Sequence, residues 1–195
     1  RPETELLVEQ AFEWLEKNKI TKPNILDLGC GSGCIGLSVL AKYPEGNLTM
    51  VDISAEALVV AKENAEQFNL SNIHWIQADA GSAACVEKLN GELFDLILAN
   101  PPYIDIQDVR VEETVKKFEP QTALFAPNQG LYFLKIWSEK MLPHLKKTSM
   151  MGFEMGCDQG LEMKNWFQTL DVFADVRVVK DLSSLDRHII GVKHG

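Results

Sequence analysis

Cysteine is scarce in this sequence: Cys30, Cys34, Cys85 and Cys157 are the only four in 195 residues, with no CxxC spacing and no Cys/His cluster. Neither a disulfide framework nor a zinc site is indicated, and the usage fits a reducing cytoplasm. No apolar run approaches the ~20 residues of a membrane span. Glycine and proline together supply 21 residues, about 11% of the chain. Low-complexity chains need roughly 25–30%, so collagen-like and disordered classes are excluded. Positive charge is also short, since 19 Lys and Arg against 28 Asp and Glu leave a net charge of −9. No global positive field is available to displace counterions along a nucleic-acid site, and direct nucleic-acid binding is not expected. There is no internal repeat and no signal peptide. The sequence starts at Arg1 without a methionine, runs straight into a helical pattern, and reads as a fragment.

At 46% hydrophobic and 24% charged residues the chain has the composition of one globular domain. Helical and strand patterns alternate throughout. Leu7, Ala11, Trp14 and Leu15 share one helical face, and strands are predicted at 24–28, 47–52, 73–78 and 94–99. Between them, 34–43 is a short apolar helix and 83–88 a weak one. Ser54 is a candidate N-cap for a helix with Ala57, Val60, Ala61, Ala65 and Phe68 along its stripe. After an irregular, charged stretch at 104–130, a candidate lid, come a helix at 131–145, a strand at 150–155 and a helix at 161–170. Closing strands are expected near 172–180 and 187–192. Such units stack into an α/β, doubly wound sheet, whose ligands sit beyond the carboxyl ends of the strands. The segment Gly29–Gly33, Asp52, Asp79 and Asn100 all fall there.

Asp27-Leu28-Gly29-Cys30-Gly31-Ser32-Gly33 joins a strand end, a glycine turn and a helix start. Asp52 ends the next strand 23 residues after Gly29, a distance that suits a ribose diol and implies a nucleotide-like cofactor. A pyrophosphate here would lie near the Asp27 carboxylate, and no Walker lysine follows the glycines. S-adenosylmethionine carries a sulfonium, an ammonium and one carboxylate but no phosphate. Asp27 can then face positive charge while loop N–H groups take the carboxylate. Asp79 is placed either to accept from the adenine amino group or to cap a helix.

Asn100-Pro101-Pro102-Tyr103 carries the chemistry. Two prolines fix φ and remove two donors, and Asn100 before proline is held extended, which makes a rigid loop rich in acceptors. The Asn100 side-chain oxygen and the Pro101 carbonyl can each take one hydrogen of a planar NH2 group, with Tyr103 stacking on it. The alternative is a strand-ending turn with an Asx bond. No general base and no metal is required. Cys30 is read as a small loop residue rather than a nucleophile.

Arg1-Pro2-Glu3-Thr4-Glu5, the Asp27–Gly33 loop, Asn100-Pro101-Pro102-Tyr103-Ile104, Glu119-Pro120 with Ala123-Leu124, Gly130-Leu131 and Asp186-Arg187 together resemble the HemK/PrmC family of protein-(glutamine-N5) methyltransferases. The resemblance covers nearly the whole chain. It implies a class I, Rossmann-like methyltransferase fold over residues 1–195, with seven strands and the last antiparallel. It further implies methylation of the glutamine in the Gly-Gly-Gln motif of class 1 peptide-chain release factors, which tunes translation termination. Carried over by position, Gly29, Cys30, Gly31, Ser32, Gly33 and Asp52 bind the cofactor, Asp79 and Ala80 flank its adenine, and Asn100, Pro101, Pro102 and Tyr103 hold the glutamine. Asn100 would touch both ligands, and Glu119 is a candidate for fixing the substrate loop. Two features depart from the family. Its N-terminal helical docking domain is absent from this sequence, and Ala80 stands where the family carries an aromatic residue.

Other residues are expected to be structural: Asp186-Arg187 as an ion pair or cap, His74, His144, His188 and His194 as surface or core, the four tryptophans as packing, and Lys116-Lys117 and Lys146-Lys147 as solvated. Competing functions are an amino-methyltransferase acting on adenine or guanine of RNA or DNA, a non-catalytic S-adenosylmethionine-binding module, and a dehydrogenase, which Asp27 disfavours. Nothing in the pattern specifies an oligomeric state.

Overall fold

The computed structural model describes residues 2–105 and 125–195. Helix α1 (Pro2–Lys17) is followed by β1 (Asn24–Leu28), α2 (Cys34–Lys42), β2 (Asn47–Asp52), α3 (Ala55–Gln67), β3 (Ile73–Gln77), α4 (Ala83–Leu89) and β4 (Phe94–Ala99). Two short strands, β5 (Ile104–Asp105) and β6 (Phe125–Ala126), precede α5 (Tyr132–Met141), β7 (Leu145–Glu154), α6 (Gly160–Thr169), β8 (Asp175–Lys180) and β9 (Asp186–Lys193). Seven strands form one sheet in the order β3-β2-β1-β4-β7-β9-β8. The first five in that order pair in parallel, and β9 runs antiparallel to both β7 and β8. The doubly wound sheet with an antiparallel last strand is therefore as expected, with β9 inserted between its two predecessors.

Burial explains the central strands. Phe94-Asp95-Leu96-Ile97-Leu98-Ala99 is buried at all six positions, as a parallel strand covered on both faces must be. Leu96 and Leu98 enter the layer formed with Leu7, Leu15 and Leu40, while Ile97 and Ala99 enter the one formed with Leu134, Met141 and Phe167. Asp95 tolerates its burial because Oδ2 accepts from Asn24 N and from Lys146 Nζ, each at 2.7 Å. Lys146 is thus an ion-pair partner rather than a solvated lysine.

Two elements differ from expectation. Ser54 does cap α3, its Oγ accepting from Ala57 N at 3.1 Å, but the buried face is Leu58, Ala61 and Ala65. Val60 and Phe68 point to solvent. The helix predicted to reach residue 145 stops at Met141, where Leu142–His144 makes a 3₁₀ turn around Pro143. β7 then begins at Leu145, five residues earlier than expected, because the polar Lys146, Lys147 and Thr148 hide its start in the hydrophobic pattern.

The winding reverses between β1 and β4, whose last residues, Leu28 and Ala99, are in register. The loops after these two strands therefore open side by side. Ala99 is likewise in register with Phe153, which places Glu154 next to Asn100 at the ends of neighbouring strands.

Candidate active site

The turn after β1 is built by left-handed glycines. Gly31 has φ +55 and Gly33 φ +82, conformations that cost a residue with a Cβ roughly 1–2 kcal/mol. A Cβ on Gly33 would strike Met50 and Leu37, whereas one on Gly31 would meet nothing within 4 Å. Gly31 thus faces open space at the tip of the loop. The loop spends its donors internally: Cys30 N–H on Val51 O at 3.0 Å, Gly31 N–H on Asp52 Oδ2 at 2.8 Å and Gly33 N–H on Cys30 O at 2.8 Å. These three amides are already paired within the protein.

Asp27 is completely buried behind the loop and braces the start of α2, Oδ2 accepting from Gly36 N at 2.8 Å. It does not line the loop's open face. Its other oxygen, Oδ1, is buried without a hydrogen-bond partner among the described residues. Burial pushes the Asp27 carboxyl up to about 7, against the pull of the Gly36 N–H and with a further push from the Asp52 charge. Cys30 is buried too, and burial together with the Asp27 and Asp52 charges raises its thiol far above the ordinary range, which leaves it inert as a nucleophile.

Asp52, at the end of β2, uses Oδ2 for Gly31 and Oδ1 for Ser54 N at 2.9 Å. The next residue, Ile53, is 66% exposed, a large apolar side chain displayed beside that carboxylate. Asp79 does not cap α4. Ser82 does, accepting from Cys85 N at 3.2 Å, while Asp79 Oδ1 accepts from Gly81 N at 2.9 Å and the residue stays exposed. Ala80 is buried, so Ile53 rather than Ala80 offers apolar surface at this end of the sheet. Open space above Gly31 and a half-exposed carboxylate at Asp52 are the features here that could receive the ribose of S-adenosylmethionine.

The segment Asn100–Tyr103 lies directly alongside. Asn100 Nδ2 makes a long contact of 3.5 Å to Thr4 Oγ1, whose hydroxyl donates to Glu154 Oε2 at 2.8 Å. The Tyr103 hydroxyl donates to Glu154 Oε1 at 3.0 Å. Gln159 Nε2 donates to the carbonyls of Tyr103 and Gln129, each at 2.9 Å, and its Oε1 accepts from Gly156 N at 2.8 Å. Gly130, at φ +80, packs so closely on the Tyr103 carbonyl that a side chain there would overlap it. Ile104 and Asp105, at the start of the candidate lid, pair with Phe125 and Ala126 within its last six residues. Glu119, Pro120, Ala123, Leu124 and Lys116-Lys117 lie outside the described residues, as does most of that lid.

Thr4, Glu154, Gln159 and Ile53 were not singled out individually by sequence reasoning. The only signal for Glu154 is a carboxylate at the end of an apolar strand run, and Thr4 is 150 residues away from it. Asp186 and Arg187 are each in a structural ion pair, with Lys180 and with Asp181 at 3.0 Å respectively. A surface depression lined by Ile20, Leu93, Asp95 and Lys146 lies at the amino ends of the strands and includes none of the site residues.

The sheet order, the glycine loop at the switch point and the acceptor-rich segment beside it define a class I methyltransferase domain. The methyltransferase small domain family model matches residues 3–160. The chain is 38% identical over 192 residues to the release factor glutamine methyltransferase of Chlorobaculum tepidum, covering 96% of this chain and 64% of the relative. It is 37% identical to that of Lactococcus lactis, covering 97% and 67%. Among solved structures, the hMettl16 catalytic domain in complex with a 3′UTR hairpin superposes with a TM-score of 0.70 at 17% identity, covering 97% of this chain and 71% of that one, which speaks for the fold alone. The chain belongs to the release factor glutamine methyltransferase family. It spans slightly under two thirds of the Chlorobaculum relative's length.

Proposed function

We propose that this chain transfers a methyl group from S-adenosylmethionine to the side-chain amide nitrogen of the glutamine in the Gly-Gly-Gln motif of class 1 release factors. The observation that carries the reading is the place of Asn100–Tyr103 at the switch point, with the Asn100 nitrogen turned toward Thr4 and its oxygen left to accept. When bound, S-adenosylmethionine supplies a methyl on a sulfonium, which leaves as a neutral thioether. Asn100 Oδ1 and the Pro101 carbonyl each accept one hydrogen of the substrate NH2, and this grip localises the nitrogen lone pair and aims it at the methyl. Transfer would form the new N–C bond as the S–C bond of the bound cofactor breaks, so the part of Asn100 and Pro101 is to hold that lone pair in line. The methylated nitrogen is then cationic and releases a proton to solvent, so positioning rather than a strong base supplies the rate.

The test is incubation with methyl-labelled cofactor and a release factor, the same factor with its glutamine changed to alanine, and bulk RNA, with Asn100→Ala as the enzyme control. Label confined to the unaltered factor and lost with Asn100→Ala is expected. Label entering RNA instead would transfer the assignment to a nucleic-acid amine, and cofactor binding without any transfer would favour a non-catalytic module.

A further inference from the structure

We propose that Thr4 and Glu154 are positioning residues that decide which way round the Asn100 amide lies, an inference that rests on the function proposed above. The two ends of an asparagine amide have nearly the same shape, so sterics alone do not fix which of them faces the substrate. A polarised network can. Glu154 is 1% exposed, and it divides its two oxygens between the ends of the Asn100–Tyr103 segment, one taking the Thr4 hydroxyl and the other the Tyr103 hydroxyl. A carboxylate only accepts, so both hydroxyls must donate. With its hydrogen committed to Glu154, Thr4 Oγ1 can only accept, and it accepts from Asn100 Nδ2. The amide is therefore oriented NH2 inward and carbonyl outward. The reverse orientation would set Asn100 Oδ1 against Thr4 Oγ1, acceptor on acceptor, and would present NH2 to a substrate NH2, donor on donor. Thr4, from the first turn of α1, thus controls chemistry at the end of β4, and the contact is expected to shorten when substrate is bound.

Three substitutions test this. Thr4→Val keeps the shape but removes the hydroxyl, Thr4→Ser keeps the hydroxyl, and Glu154→Gln replaces one of two acceptors by a donor. Thr4→Val and Glu154→Gln are expected to lower kcat about tenfold, the effect of one lost hydrogen bond. Cofactor affinity should stay within about twofold of wild type, and Thr4→Ser should remain within about threefold of wild-type kcat. In labelled protein, a nuclear Overhauser effect between the Asn100 side-chain NH2 and the Thr4 methyl is expected for wild type and lost in Glu154→Gln. Wild-type kcat in Thr4→Val, or a Thr4→Ser as slow as Thr4→Val, overturns the proposal. If the wild-type chain methylates no release factor, the proposed function fails by itself. The Overhauser measurement still decides the amide's orientation, and its absence in wild type overturns this inference.

Discussion

The Asp52 carboxylate accepts the Gly31 N–H at 2.8 Å, so the tip of the loop after β1 is held by the residue that ends β2. One side chain thereby shapes the loop, and its remaining lone pairs are proposed to take the ribose diol of the cofactor. Each oxygen serves a different amide, Gly31 through Oδ2 and Ser54 through Oδ1, and an asparagine could satisfy only one of them. Asp52→Asn is expected to weaken S-adenosylmethionine binding at least tenfold by calorimetry. Asp52→Ala should do the same and also lose about 1.5–3 kcal/mol in urea unfolding, the range for hydrogen bonds to charged groups. Unchanged affinity in both would remove Asp52 from the cofactor site.

Gly31 and Gly33 separate binding from stability. Both have positive φ, but only Gly33 is enclosed, its Cβ position lying 2.7 Å from Met50 Cε and 2.8 Å from Leu37 Cδ1. Gly33→Ala should therefore lose roughly 2–4 kcal/mol, through backbone strain and overpacking together. Gly31→Ala carries only the backbone cost, roughly 1–2 kcal/mol, yet its methyl would project into the space proposed for the cofactor. Thermal unfolding should rank Gly33→Ala as the less stable variant, while calorimetry of the folded proteins should find Gly31→Ala the poorer binder. Equal cofactor affinity in Gly31→Ala and wild type would place the ligand elsewhere.

Ile53 is expected to replace the missing aromatic residue at position 80 as the apolar surface under the base. It is exposed beside Asp52, and burying such a side chain on a ligand is worth about 1.5–3 kcal/mol at most. Ile53→Ser should accordingly weaken cofactor binding about tenfold and leave the unfolding midpoint within a degree or two. A loss of stability without a loss of affinity would show that Ile53 packs on the protein instead.

The fold was legible because its central strands announce themselves. β1, β2 and β4 are short apolar runs that end at a glycine turn, an aspartate and an Asn-Pro pair, and the structure keeps the bounds read for them. The glycine turn after β1 was legible for the same reason, since its left-handed backbone is local in sequence. Asp27 shows the limit: spacing placed it beside the loop, but only the packing of α2 over β1 reveals that it lies behind, bound to Gly36. Val60 and Phe68 lie on the apolar stripe of the sequence, whereas the helix buries Leu58, Ala61 and Ala65 and leaves those two exposed. Glu154 and Thr4 escaped because their meaning exists only where three chain-distant elements, α1, β4 and β7, bring their ends together.

Asp27 and His188 should give the protein two opposed responses to pH. Burial pushes Asp27 from 3.8 to about 7, so between those values the folded chain keeps a proton that the unfolded chain has lost, and stability falls as pH rises. Burial, reinforced by the Arg187 charge, pushes His188 from 6.5 down to about 4. Between those values the unfolded chain takes up a proton that the folded chain refuses, and stability falls as pH drops. From about pH 4 to 6.5 the two slopes, each at most about 1.4 kcal/mol per pH unit, oppose and largely cancel. Removing either group exposes the other. Relative to wild type, Asp27→Asn should gain stability steadily as pH is raised from 4.5 to 6.5 in urea titrations, and His188→Leu should lose it over the same interval. The difference curves should level off above pH 7 for Asp27→Asn and above pH 6.5 for His188→Leu. A difference curve that stays flat from pH 4.5 to 6.5 for either variant would mean that its group titrates normally in the folded chain.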